Sequence, residues 1–316
     1  MYCITLDSDD PFFNLAIEEI LLKESKDEYL ILGINTPSVI IGKHQSAHRE
    51  VNTKFVSEND IPVIRRISGG GTVFHDRGNL NFTFIRQSET GKQVDFRKYT
   101  KPVIDFLLTL GVEAKFEGKN DLRVGGLKIS GNAEHVFRKR VLHHGTLLFS
   151  SSMDMLKNSL RKDTSCYSSR AVGSNPSSVI NLNEIVSCFQ DIHVFRSEMM
   201  NYFLETFQDS VVYQLLQSER EKAELLASSK YKTWEWNWAY GPEYHYANRF
   251  EIDGNPFSCQ LFVKDGIILE CEIEGSDEMK AVGKELIGER YMVNDLMEVF
   301  QNENISIPKK DIYKFF

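Results

Sequence analysis

Residues 62–85 read PVIRRISGGGTVFHDRGNLNFTFI. β-Branched and aromatic residues crowd both sides of three consecutive glycines, which predicts one strand over 62–67 and another over 72–75. Asp76-Arg77-Gly78-Asn79 supplies turn chemistry, and 80–85 predicts a third strand. Strands on either side of the glycines narrow the fold. A P-loop needs Gly-Lys-Ser/Thr at fixed spacing, and a dinucleotide fingerprint needs a helix after its glycines; neither follows here. Gly42-Lys43-His44 is too short a fragment of a phosphate loop to alter that.

Toward the N-terminus, Asp10-Pro11 opens a helix with a capping carboxylate and a proline in the first turn. Apolar residues then recur at helical spacing through Phe13, Ile17, Ile20 and Leu21. Strands are predicted at 29–33 and 38–41. Residues 86–95 are polar and read as a loop, and 96–110 reads as a helix stopped by Gly111. Further strands are predicted at 112–116, 122–124, 127–130 and 141–149, with Gly125-Gly126 as a hairpin turn. Residues 164–178, rich in Ser, Gly and Pro, read as a loop, and helices dominate 181–230. Composition shifts near 247. Residues 249–273 alternate apolar and polar, with turns at Asp253-Gly254 and Asp265-Gly266, and two helical stretches end the chain. The whole is α/β (α+β): a mixed-sheet domain over 1–246 and a small α+β domain over 247–316, with Trp234, Trp236 and Trp238 packed between them.

The chain has 316 residues, 41% apolar and 26% charged, which suits two globular domains. A net charge of −8 argues against nucleic acid as a partner. Five dispersed cysteines lack C-x-x-C or zinc-ligand spacing and read as reduced thiols. Residues 1–10 carry no signal-peptide pattern, and nothing approaches a membrane span, so a cytoplasmic setting is expected with no membrane partner.

Chemistry concentrates in two places. The glycines free backbone amides to approach a ligand, and Arg65 and Arg66 beside them suit an anionic one. A hairpin tip with solvated arginines accounts for this stretch equally well. In the second place stand Asn120-Asp121, Lys128 and His143-His144. A strand lysine uses an anionic partner if it is buried, and lies on a solvated face if it is not. Asp121 either holds a divalent ion or caps a turn. The two histidines lack a third zinc ligand. Arg138-Lys139-Arg140 reads as a compact basic cluster, either a solvated hairpin tip or a local positive patch that steers a partner protein.

The run Arg-Arg-x-Ser-Gly-Gly-Gly-x-Val-Phe-His-Asp-x-Gly-Asn at 65–79 resembles the signature of lipoate–protein ligases. Gly118-x-Asn120-Asp121, Lys128-x-Ser130-Gly131-x-Ala133 and His143-His144-Gly145-Thr146-Leu147-Leu148 resemble it too. Asp10-Pro11-x-x-Asn14-Leu15-Ala16-x-Glu18-Glu19 and Trp234-Glu235-Trp236-Asn237 extend the likeness in the family's order. The resemblance implies a biotin-ligase-like catalytic domain with a C-terminal accessory domain. It implies a two-step reaction in which lipoate and ATP with Mg2+ form lipoyl-AMP, and a lysine then takes the lipoyl group. Arg66, Gly71, Thr72, Val73, Phe74, Asn79, Asp121 and Lys128 would bind ATP, Asp121 holding the Mg2+. Leu15, Arg66, Gly70, His75, Lys128, Ser130 and His144 would bind lipoate, with Lys128 catalytic. The implied acceptors are lipoyl-domain proteins: 2-oxoacid dehydrogenase E2 subunits and the glycine cleavage H protein. The alternative is a lipoyl/octanoyltransferase that uses a preformed donor without ATP. In that case Cys166 is a candidate acyl nucleophile; otherwise it is an ordinary thiol.

Overall fold

A computed structural model describes residues 1–88 and 94–316. In chain order its first elements are β1 (Tyr2–Thr5), α1 (Pro11–Glu24), β2 (Tyr29–Ile34), β3 (Ser38–Ile41), α2 (Ala47–Glu50) and α3 (Thr53–Glu58). They lead to β4 (Val63–Arg65), β5 (Val73–His75), β6 (Asn79–Gln87), α4 (Phe96–Thr109), β7 (Lys115–Glu117) and β8 (Asp121–Val124). Then come β9 (Leu127–Phe137), β10 (Arg140–Leu148), α5 (Met153–Ser159), β11 (Tyr167–Ser169), α6 (Ile192–Thr206), β12 (Val211–Val212) and α7 (Gln217–Leu226). The C-terminal part holds β13 (Tyr244–Ile252), β14 (Asn255–Lys264), β15 (Ile267–Glu274), α8 (Asp277–Glu285), α9 (Val293–Asn302) and α10 (Lys309–Ile312). The expected mixed α/β class is found.

Helix α1 starts as its sequence dictates, with the Asp10 side chain accepting from the Phe12 amide at 2.8 Å ahead of Pro11. Its far end is held from another strand. Arg140 is buried, and its guanidinium donates to the Leu21 and Leu22 carbonyls at 3.0 and 3.1 Å and to those of Ser25 and Asp27. The Leu21 and Leu22 carbonyls are among those a helix end leaves unpaired. Arg140 is therefore withdrawn from the basic cluster read at 138–140, and only Arg138 and Lys139 are exposed there.

Among the described residues the main sheet runs β12-β1-β2-β6-β10-β9-β8-β7, with β1 parallel to β2 and β12 and the other pairs antiparallel. The period of two in 80–85 divides its faces. Leu80, Phe82 and Phe84 join Leu30, Leu32 and Leu147 in a core completed by Val103, Phe106 and Leu107 of α4 and Phe195 and Phe203 of α6. Each such side chain contributes roughly 1.5–3 kcal/mol by leaving water. Thr83, paired with His144, which pairs with Ala133, faces the other way. That second face carries the polar site.

The chain folds as two compact units. The larger comprises Met1–Lys43, Ile64–Lys157 and Ser174–Lys232; the smaller comprises His44–Val63, Asn158–Gly173 and Thr233–Phe316. The break read at 246/247 falls inside β13. Segment Asn158–Gly173 joins the smaller unit because β11 pairs with β13, Tyr167 opposite Tyr246. The loop read at 164–178 thus holds a strand. Its own core includes Tyr246, Leu261, Ile273, Leu296, Phe300 and Phe315.

Within the smaller unit the three tryptophans each meet a ring or a cation. Trp238 lies 4.6 Å from the His48 ring, Trp236 lies 4.9 Å from Tyr240, and Trp234 sits under the Arg290 guanidinium. Two further readings change. Strand β9 continues through Gly131 to Phe137, and β6 runs to Gln87, into the loop read at 86–95; residues 89–93 of that loop lie outside the described residues. The cysteines are all free thiols. No described helix is long and apolar enough to cross a membrane.

Candidate active site

Strand β4 delivers two arginines to the glycine loop, and both turn inward. Arg65 is fully buried and donates to the Gly42 and Lys43 carbonyls at 3.1 Å. Arg66 donates to the carbonyls of Ile40 (3.1 Å), Gly69 (2.6 Å) and Gly71 (2.7 Å), and through Nε to Ser68 Oγ (2.9 Å). Burial lowers its pKa to about 10, opposed by the Glu18 carboxylate, so it stays cationic at neutral pH. The pair read as outward-facing anion binders therefore shapes the loop. Gly70 is exposed at φ +90, and a Cβ there would lie 3.0 Å from Arg66 Nη2 and 3.8 Å from Ala133 Cβ. Only glycine takes this turn without strain.

Beneath the loop runs a chain of polar contacts on the second face of the sheet. Ser68 Oγ stands 2.6 Å from His144 Nε2, and His144 Nδ1 stands 2.9 Å from Glu18 Oε2 on α1. Thr83 donates to the other Glu18 oxygen at 2.5 Å. With Glu18 accepting at Nδ1, a neutral His144 carries its proton there, and Nε2 accepts from the Ser68 hydroxyl. His75 is fixed in the opposite tautomer. Asn14 donates to Asn35 Oδ1 (2.7 Å), which orients the Asn35 amide to donate to His75 Nδ1 (2.9 Å) and leaves the proton on Nε2. Burial, then Arg66 and His144, push the His75 pKa down to about 3, so this ring is neutral.

Lys128 stands on β9 with Nζ 2.8 Å from Asp121 Oδ1, while Arg123 holds Asp121 Oδ2 at 2.8 Å and Ser177 Oγ at 2.7 Å. Its backbone is pinned by Ser178 and Ile180 at 2.9 and 3.1 Å. A Cβ on Gly131 would lie 3.2 Å from Lys128 Nζ and 3.9 Å from Val73. Gly131 thus lets the lysine lie across the strand toward β5. Lys128, Val73, Gly70, Arg66 and His144 are linked through Gly131 and Ala133 of β9.

The profile of the lipoyl protein ligase A/B catalytic domain matches residues 10–208. A lipoate-protein ligase of Bacillus subtilis is 35% identical over 305 residues, covering 94% of this chain and 92% of that protein. The chain belongs to the lipoate–protein ligase family. It is an enzyme of the ligase class. The bi-partite lipoate protein ligase of Thermoplasma acidophilum, solved in work on a lipoylation system that includes its E2 lipoyl domain, is 27% identical with a TM-score of 0.63. The match covers 75% of this chain and 95% of that one. A lipoate-protein ligase A structure bound with ATP is 27% identical with a TM-score of 0.62, over 75% of this chain and 97% of its own.

Not every residue expected at the site of this ligase faces it. Ser130 is fully buried and accepts from the Asn132 amide at 3.2 Å; Asn132 in turn meets His143 at 3.2 Å. His143 packs on Phe82 and Tyr99 in the core, so Ser130 belongs to the opposite face of the sheet. Asn79 is buried, its amide donating to Asn81 at 2.8 Å and its own Oδ1 unpartnered. Leu15 is buried on α1, one turn before Glu18. Asp121 is already shared by two cations, and among the described residues no three His, Cys, Asp or Glu side chains cluster as a metal site. Cys166, in the smaller unit, has Asn248 Oδ1 as its polar partner at 3.7 Å. Two functional groups escaped the sequence: Glu18 and Ser68. Both stand in the motifs that carry the resemblance, as a carboxylate within the apolar stripe of α1 and a hydroxyl beside the glycines, but no role was read for either.

Proposed function

We propose that this ligase activates lipoate with ATP and passes the lipoyl group to a lysine of a lipoyl-domain protein. The observation that carries the reading is Lys128 lying across Gly131 beside the Arg66-shaped glycine loop. A lipoate carboxylate attacking the α-phosphate of ATP meets like-charge repulsion, and a fixed ammonium between them offsets it. Lys128 Nζ is that ammonium, and Asp121 and Arg123 aim it. As the carboxylate oxygen bonds to phosphorus, pyrophosphate leaves with the broken P–O bond. A neutral acceptor amine then attacks the acyl carbon, loses one proton to solvent, and expels AMP as the acyl–O bond breaks.

In this reading the loop from Gly71 through Thr72, Val73 and Phe74 lines the nucleotide with Asn79, and Leu15, Gly70, His75 and His144 line the lipoyl chain and its carboxyl. Support comes from the relative named for lipoate ligation and the neighbour bound with ATP. Mg2+ customarily binds one or two carboxylates together with substrate phosphates. Asp121 fits that habit as a single protein ligand, and the ion would neutralise phosphate charge. The acceptors would be E2 subunits and the H protein, as the E2 lipoyl domain paired with the Thermoplasma ligase suggests. The larger unit would carry the chemistry, the smaller would be accessory, and the compartment would be the cytoplasm.

The deciding assay mixes protein, lipoate and Mg-ATP and follows pyrophosphate. Release that depends on lipoate is expected. Its absence, with transfer from a preformed lipoyl or octanoyl donor, would make the chain a transferase.

Two variants probe the lipoate end. Glu18→Gln removes the charge that fixes the His144 tautomer and is expected to lower kcat/KM for lipoate by about 10- to 100-fold, the worth of a hydrogen bond to a charged group. Pyrophosphate release at varied lipoate measures it, and an unchanged value would leave Glu18 a purely structural residue. Gly70→Val forces a branched residue to φ +90 against Arg66 and should weaken lipoate binding at least about tenfold. Calorimetric titration reads this directly; equal affinity would make the loop only a turn.

A further inference from the structure

The chain carries a net charge of −8, yet cations gather on the larger unit beside the glycine loop. Lys23, in the last turn of α1, and Lys230, in the π-helical turn at Ala227–Tyr231, share the buried Glu19 carboxylate at 2.6 and 2.7 Å. The Tyr231 hydroxyl donates to the same carboxylate at 2.6 Å. One anion thus faces two ammonium groups and a phenol. His135 of β9 lies in the same field, held below its ordinary pKa by burial and then by Lys43. Lys230 is lowered likewise by burial, with Lys23 and Lys43 acting in the same sense against Glu19.

Lys43 ties this patch to the site, since its amide donates to the Ser68 carbonyl at 2.9 Å. His135 ties it again, two residues beyond the Ala133 that faces Gly70. At the other side the half-buried Phe137 has Lys23 and Arg138 over its ring at 5.7 and 5.1 Å. The nearby acids are already engaged: Glu18 with His144, and Glu24 with Lys222 at 2.5 Å.

We infer that Lys23, Lys43, Arg138 and Lys230, around His135 and Phe137, form the docking surface for an acidic acceptor domain. The inference rests on the ligase reading. An acidic partner is repelled by the molecule as a whole, so a local positive field at the rim of the site sets its orientation and speeds its encounter. Phe137 supplies an aromatic anchor among the charges. Lys230 stays with Glu19, and the other cations meet the partner.

The test uses the full chain in two variants. Lys23→Gln with Lys43→Gln leaves Lys230 to neutralise Glu19, and Arg138→Glu alters an exposed side chain only. Adenylate formation is followed without acceptor, by pyrophosphate release and hydroxylamine capture. Transfer is followed to an E2 lipoyl domain of net negative charge. At low ionic strength kcat/KM for that domain should fall about tenfold in both variants, with adenylate formation unchanged. The gap should close as salt shortens the screening length toward about 8 Å and below. Transfer at the wild-type rate in both variants overturns the proposal. A parallel loss of adenylate formation also overturns it and assigns the cations to ATP. Wild-type protein that releases no pyrophosphate at all would instead count against the activation reading.

Discussion

Lys128→Ala is expected to lower lipoyl-AMP formation by at least about 10²–10³-fold, the usual loss when a preorganised charge donor is removed from a reaction centre. The fold should survive. Lys128 is only partly buried, and its carboxylate partner Asp121 retains Arg123 at 2.8 Å, so truncation strands no buried charge. The backbone of residue 128 keeps its bonds to 178 and 180 whatever the side chain. Pyrophosphate release measured beside thermal melting separates the two effects. A variant that melts normally and still turns over near the wild-type rate removes Lys128 from the chemistry.

Much of this site could be read from residue types alone because its parts are local. Glycines between two strands mark a backbone that must pass close to something, and Lys128 follows a hairpin turn that fixes its strand. Direction was not local. Arg65 and Arg66 look like anion binders in sequence, yet their donors are used on carbonyls of neighbouring segments, which no local pattern encodes. Glu18 was hidden for the same reason: its partner His144 lies 126 residues away. Ser130 went astray through strand parity, since the step from Ser130 to Gly131 exchanges one face of the sheet for the other.

The fold divides in the same way. The strand read at 80–85 is found within β6, and its alternation sets Leu80, Phe82 and Phe84 in the core. Gly131-Asn132 reads as a strand end, whereas here glycine gives Lys128 room to cross β9 without ending it. The segment around β11 contains too many Ser, Gly and Pro residues to read as a strand, and its pairing with β13 supplies what propensity lacks. A chain that enters its smaller unit three times has no single boundary for composition to reveal.

Gly145→Ala is expected to damage the fold with the smallest possible change of side chain. Gly145 lies in the middle of β10, opposite Phe82 on one side and Asn132 on the other. A Cβ there would stand 2.3 Å from Phe82 Cζ and 2.3 Å from Asn132 Oδ1. Neither neighbour can retreat. Phe82 is fully buried against Phe84 and His143, and Asn132 is tied through its amide to the Asn120 carbonyl and through Oδ1 to His143. Forcing one carbon into such a core costs about 1–3 kcal/mol, and more where the neighbours are fixed. For a chain of this size that is a fall in Tm of about 2–5 °C. Activity should suffer with it, since His144 is the next residue and any shift of β10 moves its ring from Glu18 and Ser68. Gly69→Ala is the control. A Cβ at Gly69 meets nothing within 4 Å, so that variant should melt as the wild type does. Equal melting temperatures for the two alanine variants would mean that β10 has space where the register leaves none.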